Sequence, residues 1–311
     1  MDITATLGPA SLNKNIIEQL SKKVSRFRLN SGHMNSIQLR KTLKELEGNV
    51  PVVIDLQGAK VRIGEFSDVK ALPETVSIIN DAASNDAGII PLPDKQFFKA
   101  LKVKDRLYLN DAKIELEVIK TGSQKIEAVV IKNGPLSSFK SINRKDHPVH
   151  FVKVTDADKK AIGASLKYDF VQYAVSFVHN GEEAKLYRPL LKHKRLIAKV
   201  ERPEAIKHLH NINRNFDELW FCRGDMGSQA GLNKLQNIQE EFIAGSIKFS
   251  KPKFIAGRLL WSMVEDAKPT KEELEHLYSV KKAGFDGIVL SDEIAVGKYP
   301  MKVLELLSSI F

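Results

Sequence analysis

The stretch Leu196-Ile197-Ala198-Lys199-Val200-Glu201 sets a short apolar strand directly against an ammonium and a carboxylate. The next such strand, Leu219-Trp220-Phe221-Cys222, ends on Arg223-Gly224-Asp225. Charged residues placed immediately after apolar strands mark a β/α barrel, where chemistry sits at the carboxyl ends of the strands. The same rhythm extends outward in both directions. Upstream lie candidate strands Ile3–Leu7, Ser25–Leu29, Val52–Ile54 (ending at Asp55) and Phe170–Phe177; downstream lie Phe254–Ala256 and Gly287–Leu290. Helical spacing of apolar residues separates them, through Ile16 and Leu20 behind a Ser11 cap, over Ile37–Leu46, and over Asp156–Leu166. Eight strands at these intervals predict a (β/α)8 TIM barrel of the α/β class rather than an open doubly wound sheet.

The rhythm breaks near Ala59. From there to about Pro148 strands dominate: Val61–Ile63, Val76–Ile79, Arg106–Leu109, Ile114–Ile119 and Ile126–Ile131, with Asn110-Asp111 and Asn133-Gly134 as turn signals. The reading is a small all-β lid domain inserted into the barrel. The expected divisions are 1–58 for the first part of the barrel, 59–148 for the inserted domain and 149–311 for the remainder.

The 311 residues suffice for one large domain plus this insertion. With 43% hydrophobic and 28% charged residues the composition is that of a globular chain with an ample core. No apolar run approaches the ~20 residues of a membrane span, and Met1-Asp2-Ile3-Thr4-Ala5 does not open a secretory signal. The single cysteine, Cys222, precludes a disulfide framework within the chain and points to a reducing cytoplasm. A net charge of +10 suits anionic metabolites. The densest basic stretch, Lys185 to Lys199, reads as a solvated helix face, and no nucleic-acid module or membrane-binding segment is visible.

Among the strand-end residues, Lys199 and Glu201 are two apart and so point to one side of their strand. Glu201 and Asp225 are two carboxylates on consecutive strand ends, hard oxygen donors suited to Mg²⁺ or Mn²⁺ with water and substrate completing the shell. A neighbouring ammonium, Lys199, then shares the charge of a transferring phosphoryl group or a developing enolate. The same spacing is met by an ordinary salt network at a barrel rim. Gly224-Asp225-Met226-Gly227 opens a helix whose amides suit a carboxylate or phosphate. Arg28 and Arg62 are candidate anion clamps, and His33 follows the Arg28–Asn30 strand end. Neither a P-loop nor a Rossmann glycine signature occurs, and no Cys/His cluster suggests zinc.

These segments, in order, resemble the pyruvate kinase family. Thr6-Leu7-Gly8-Pro9-Ala10-Ser11 is similar to its opening T-I-G-P-A-S, and Arg28-Leu29-Asn30 with His33 to R-L-N-x-S-H. Asp55-x-x-Gly58-x-x-Val61-Arg62-x-Gly64 resembles D-T-K-G-P-E-I-R-T-G, the entry to the inserted domain. Lys199-Val200-Glu201 resembles K-I-E, and Arg223-Gly224-Asp225-Met226-Gly227 resembles R-G-D-L-G. Ser262-Met263 with Lys268-Pro269-Thr270 is similar to the helix after the sixth strand, and 290–300 to L-S-G-E-T-A-K-G-D-Y-P.

The resemblance implies phosphoryl transfer between phosphoenolpyruvate and ADP, giving pyruvate and ATP, in the cytoplasm. It implies Glu201 and Asp225 as ligands of Mg²⁺ or Mn²⁺, Lys199 and Arg28 as catalytic cations, and Asn30 and Asp55 as ligands of a monovalent cation, K⁺. Arg62, Lys140, Gly224 and His33 would face substrate or nucleotide phosphates, with the Gly224 and Asp225 amides on the substrate carboxylate. The partners are then small molecules, not nucleic acid or membrane, with homo-oligomer formation through barrel faces. Departures weaken parts of this. Gly257 stands where the family has a threonine that relays the proton, and general acid–base help is worth ~10²–10⁴ in rate. Gly32, Leu56, Gln57 and Lys60 replace a serine, a threonine, a lysine and a glutamate and so remove support for the monovalent site. Gln229, Asp292 and Ile294 are further replacements, and the family's C-terminal regulatory domain is not expected within the 311 residues. A repurposed metal-dependent keto-acid lyase or decarboxylase, or a non-catalytic regulatory homologue, are the alternatives.

Overall fold

A computed structural model of the chain describes residues 1–58, 60–110, 112–145 and 154–311. The expected domain start at 59, the turn residue Asp111 and the boundary at 148/149 with Phe151 lie outside the described residues. The chain divides into two compact units: Met1–Gly58, Val152–Gly224 and Leu235–Phe311 form one, and Ala59–Phe151 with Asp225–Lys234 the other.

The first unit is a closed barrel of eight parallel strands. They are β1 (Asp2–Thr6), β2 (Arg26–Asn30), β3 (Val52–Leu56), β4 (Val171–Val175), β5 (Leu196–Val200), β6 (Glu218–Cys222), β7 (Lys253–Ala256) and β8 (Gly287–Leu290). The ring runs in order, with β8 pairing β1 through Ile3↔Ile288 and β3 pairing β4 through Asp55↔Ala174. Closure excludes the open sheet. Alternation along each strand sends every second side chain inward. The middle of the barrel is filled by Val53, Ala174, Ile197, Trp220, Phe254 and Val289, which form one buried cluster with Cys222 and Ala256. Trp220 and Phe254 are in ring contact at 6.5 Å between centroids, so two large aromatic side chains close the bore. Below them Arg26 donates to Glu218 (2.9 Å) and to Thr4 (2.9 Å), with its guanidinium 4.4 Å from the Phe254 ring centroid. The amino end of the bore is thus plugged by a satisfied ion pair, and the inward polar residues at the other end remain for a site.

Several local readings need correcting. Ser11 does not cap the first helix: Asn13 does, accepting from Ile16 N, while Ser11 Oγ accepts from Gly8 N (3.0 Å) and closes the turn before it. Val61–Ile63 is not a strand; Arg62 makes only an isolated bridge to Ser141. Phe170–Phe177 shortens to β4, which leaves Ser176 and Phe177 beyond the strand.

The second unit carries a six-stranded sheet in the order Ile142–Arg144, Arg106–Leu109, Ile114–Lys120, Lys125–Lys132, Thr75–Ile79 and Ile89–Pro91. The sheet is antiparallel except for the parallel pair Thr75–Ile79 with Ile89–Pro91, and its apolar face packs Val76, Ile78, Leu107, Leu116, Val118 and Ala128 into a core of its own in a period-two pattern. A short helix, Lys95–Ala100, capped by Asp94 through Phe97 N, adds Phe97 and Phe98 to that core.

Candidate active site

The carboxyl end of the barrel unit gathers a buried charged network whose centre is Asp55. It is the fourth residue of β3 and inward by alternation. Arg28, the third residue of β2, donates from Nε to Asp55 Oδ2 (2.9 Å) and from Nη1 to Thr6 Oγ1 (2.8 Å). Thr6 in turn donates to the Leu290 carbonyl (2.7 Å), so β1, β2, β3 and β8 are tied at their ends. Lys199, the fourth residue of β5, places Nζ 3.0 Å from Asp55 Oδ1, 3.0 Å from Glu201 Oε1 and 2.8 Å from Ser176 Oγ. Ser176 Oγ in turn donates a hydrogen bond to Asp55 Oδ1 (3.1 Å). The second oxygen of Glu201 accepts from Phe177 N (2.8 Å).

Lys199, Glu201 and Asp55 are all buried, so none of these charges is tolerable alone. Burial by itself would raise the Asp55 carboxyl; Lys199 and Arg28 outweigh it and hold the group at about 2. Burial likewise opposes the Lys199 ammonium, but Asp55 and Glu201 push its pKa up. Arg28 is raised in the same way by Asp55 against its own burial. The result is a permanently charged cluster at neutral pH. Cys222, at the end of β6, is driven well up by burial and then by Glu201, and remains a thiol. 

The other sequence candidates lie as follows. Asn30 ends β2, and its side chain accepts from Gly32 N (3.0 Å). His33 closes the 3₁₀ turn Ser31–His33 and is exposed. Gly224 is the second residue of the helix Arg223–Ala230, which begins directly after β6, so its amide is among the first-turn N–H groups that lack an intrahelical acceptor. Asp225 belongs to the second unit, where Lys60 Nζ lies 2.7 Å from its Oδ1. Arg62 and Lys140 come together in the inserted domain: Ile63 N donates to the Lys140 carbonyl (2.9 Å), and Arg62 donates to the Phe139 carbonyl (2.8 Å). Among the described residues no three of His, Cys, Asp and Glu gather into a ready-made metal cage.

Sequence reasoning missed Ser176 and Asp158, which hold this cluster and the chain beside it; Glu293 and Arg223 were legible as polar residues after strands, but not their partners. Ser176 was hidden inside an over-long strand; its signal was a hydroxyl just after β4. Asp158 accepts from Gln57 N (2.8 Å), Gly58 N (3.1 Å) and Tyr187 OH (2.7 Å), and so fixes the chain as it leaves β3. Thr155-x-x-Asp158 is a legible helix-start signature, and Thr155 does accept from Asp158 N. Gly58 has φ +59, and a Cβ there would meet the Ser176 carbonyl at 2.1 Å, so only glycine fits this exit. Glu293, buried after β8, accepts from Leu260 N (3.2 Å) and Ser291 N (2.8 Å) and holds the loop that contains Gly257. Arg223 is paired with His276 (2.8 Å) on the helix Lys271–Lys282.

The family model described as "Pyruvate kinase, barrel domain" matches residues 1–304. The chain belongs to the pyruvate kinase family. It is 30% identical over 99% of its length to the pyruvate kinase of Agrobacterium vitis and covers 68% of that protein. A pyruvate kinase of Thermococcus litoralis is 29% identical over the same share of both chains. The crystal structure of pyruvate kinase from Pyrobaculum aerophilum superposes with a TM-score of 0.86 at 27% identity, covering 100% of this chain and 72% of that one. The family carries a barrel with an inserted domain, as found here, and is one of phosphotransferases acting on phosphoenolpyruvate and ADP.

Gly257, at the position expected from the sequence to carry a threonine, has a distinctive backbone. It has φ +100, and a Cβ built on it would approach Gly224 N at 3.1 Å. The loop after β7 therefore has a backbone conformation that glycine adopts without cost and threonine does not.

Proposed function

We propose that the chain transfers a phosphoryl group between phosphoenolpyruvate and ADP, giving pyruvate and ATP. The observation that carries this reading is the Arg28–Asp55–Lys199–Glu201 cluster, with its short distances and permanent charges, at the carboxyl end of a barrel of this family. Lys199 and Arg28 act as fixed cations. Asp55 and Glu201 hold the Lys199 proton so firmly that this ammonium stabilises charge on a phosphoryl group in flight rather than donating a proton to the enolate. Orientation comes from Ser176 and Thr6, which brace the two cations through hydroxyl contacts.

Glu201 and Asp225 are oxygen donors of the kind Mg²⁺ or Mn²⁺ prefers, and with only two protein carboxylates the remaining positions belong to water and substrate, the usual pattern for Mg²⁺. When bound, the ion would neutralise phosphate charge and polarise the enolate oxygen. The monovalent site is a different matter. The Asp55 oxygens accept from Arg28, Lys199 and Ser176, which already neutralise the carboxylate, and Gly32 and Leu56 bring no hydroxyl. We therefore expect turnover that does not require K⁺: rates in K⁺ and in a bulky organic cation should agree within twofold, and a tenfold activation by K⁺ would contradict the reading.

A second reading, metal-assisted decarboxylation of a keto acid, is favoured by Gly257, since the family hydroxyl that assists protonation is absent. The two are separated by measuring pyruvate formation from phosphoenolpyruvate with ADP beside pyruvate formation from oxaloacetate without it. ADP-dependent turnover supports the kinase; turnover of oxaloacetate alone supports the second reading.

A further inference from the structure

The inserted domain carries a basic cleft that the reading above does not use. Its cavity of about 540 Å³ is lined by Lys102, Lys104, Asp105, Arg106, Arg144 and Lys145, with Val103 as the apolar exception. Five of its seven lining residues are therefore cations. We propose that this cleft binds a small oligophosphate: two or more linked phosphates on an inorganic chain or a compact ester.

Three features support a built site rather than a solvated surface. First, both guanidiniums are anchored by carboxylates. Arg144 donates from Nη2 to Asp105 Oδ1 (2.9 Å) with Nε 2.6 Å from Oδ2, and Arg106 lies 3.2 Å from Glu115 and 2.7 Å from Glu117. Guanidiniums anchored in this way fix the walls of the cleft, and Lys102 and Lys104, exposed on its turn, are the ammonium groups presented to phosphate oxygens. Second, the two arms of the cleft are locked by backbone pairing. Lys145 N donates to the Arg106 carbonyl (2.9 Å), and the turn Lys102–Asp105 closes through Asp105 N to the Lys102 carbonyl and Lys102 N to Asp105 Oδ2 (2.7 Å). Third, Lys104 holds φ +73, an unusual left-handed conformation for a residue with a Cβ, and Lys102 and Lys104 are both exposed on that turn.

Size and lining select the ligand. The volume lies in the range of small-molecule sites. No aromatic ring is among the lining residues, which gives a nucleobase nothing to stack on, and the nearby Tyr108 ring already carries Lys145 Nζ 5.6 Å from its centroid. A single-stranded nucleic acid would need open aromatic platforms along a groove, so the compact, highly charged anion is favoured.

Inorganic tripolyphosphate is the probe, titrated calorimetrically into the full chain at fixed ionic strength. The unmodified protein is expected to bind it saturably. Lys102→Glu/Lys104→Glu should weaken binding at least tenfold, while a charge-matched pair on an exposed helix of the barrel unit, Lys41→Glu/Lys44→Glu, should change it by less than twofold. All four lysines are exposed, so folding is retained, which circular dichroism checks. Turnover of phosphoenolpyruvate is not read, so the test stands apart from the proposed activity. Equal weakening in both variants, no effect in the first, absence of saturable binding, or tenfold tighter capture of a 20-residue single-stranded RNA would each overturn the proposal.

Discussion

At the scale of single residues, the site is governed by charges that cannot exist alone. Replacing Lys199 by Met would leave Asp55 and Glu201 buried with one cation fewer, and breaking a buried pair costs roughly 3–5 kcal/mol. Lys199→Met should therefore lower the thermal midpoint as well as reduce phosphoryl transfer by at least ~10²–10³-fold; near-normal turnover would remove Lys199 from the mechanism. Gly257 yields the converse prediction. Placing a threonine there should not raise activity, because φ +100 and the Gly224 amide at 3.1 Å oppose a side chain. Gly257→Thr is expected to destabilise by about 1–3 kcal/mol in denaturant titration. His276 supplies the pH dependence. Burial and then the Arg223 charge lower its pKa to about 4 from 6.5, so the folded protein holds it neutral, accepting from Arg223. The unfolded chain takes up a proton near pH 6.5 that the folded protein refuses until about pH 4. Stability is complete above that window and falls as pH drops through it. The group is partly exposed, and solvent screening limits the effect to roughly 1–2 kcal/mol. His276→Gln, which keeps an acceptor, should flatten the stability profile between pH 6.5 and 4.

At the scale of elements, the decisive contacts occur where strands end. Asp158 binds the Gln57 and Gly58 amides and the Tyr187 hydroxyl, so it fixes the last residues of the β3 segment before the chain enters the inserted domain. Asp158→Ala would strand these donors and is expected to cost roughly 2–4 kcal/mol in urea unfolding; a cost below 0.5 kcal/mol would show the clamp to be idle. The barrel strands were readable because an apolar run followed by a charge is a local pattern: β5 and β8 lie as expected, and Lys199 with Glu201 share a side as the two-residue repeat requires. What could not be read depends on distant partners. Ser176 matters only because Asp55 and Lys199, far away in sequence, converge on it. Ser11 and Asn13 are both good cap residues, and only the tie of Ser11 to Gly8 selects Asn13. Arg62 sits in an alternating run and bridges Ser141, and Val61, Ile63 and Gly64 bond across to Ile142, Lys140 and Phe139, a pairing too brief to make a regular strand of 61–63. The short strands Glu65–Phe66 and Ala83–Ser84 carry too few residues for any periodicity to appear.

At the scale of the whole molecule, a net charge of +10 and a barrel end with buried cations are consistent with anionic substrates. No helix among the described residues is long and apolar enough to cross a membrane. The chain spans about two-thirds of its relatives' length, and that span includes the barrel and the inserted domain. The most direct test of phosphoryl transfer is ³¹P NMR of the purified protein with phosphoenolpyruvate, ADP and Mg²⁺. Decay of the phosphoenolpyruvate resonance should be matched, one for one, by growth of the γ-phosphate of ATP. Release of inorganic phosphate in its place, or an unchanged spectrum after prolonged incubation, would contradict the account.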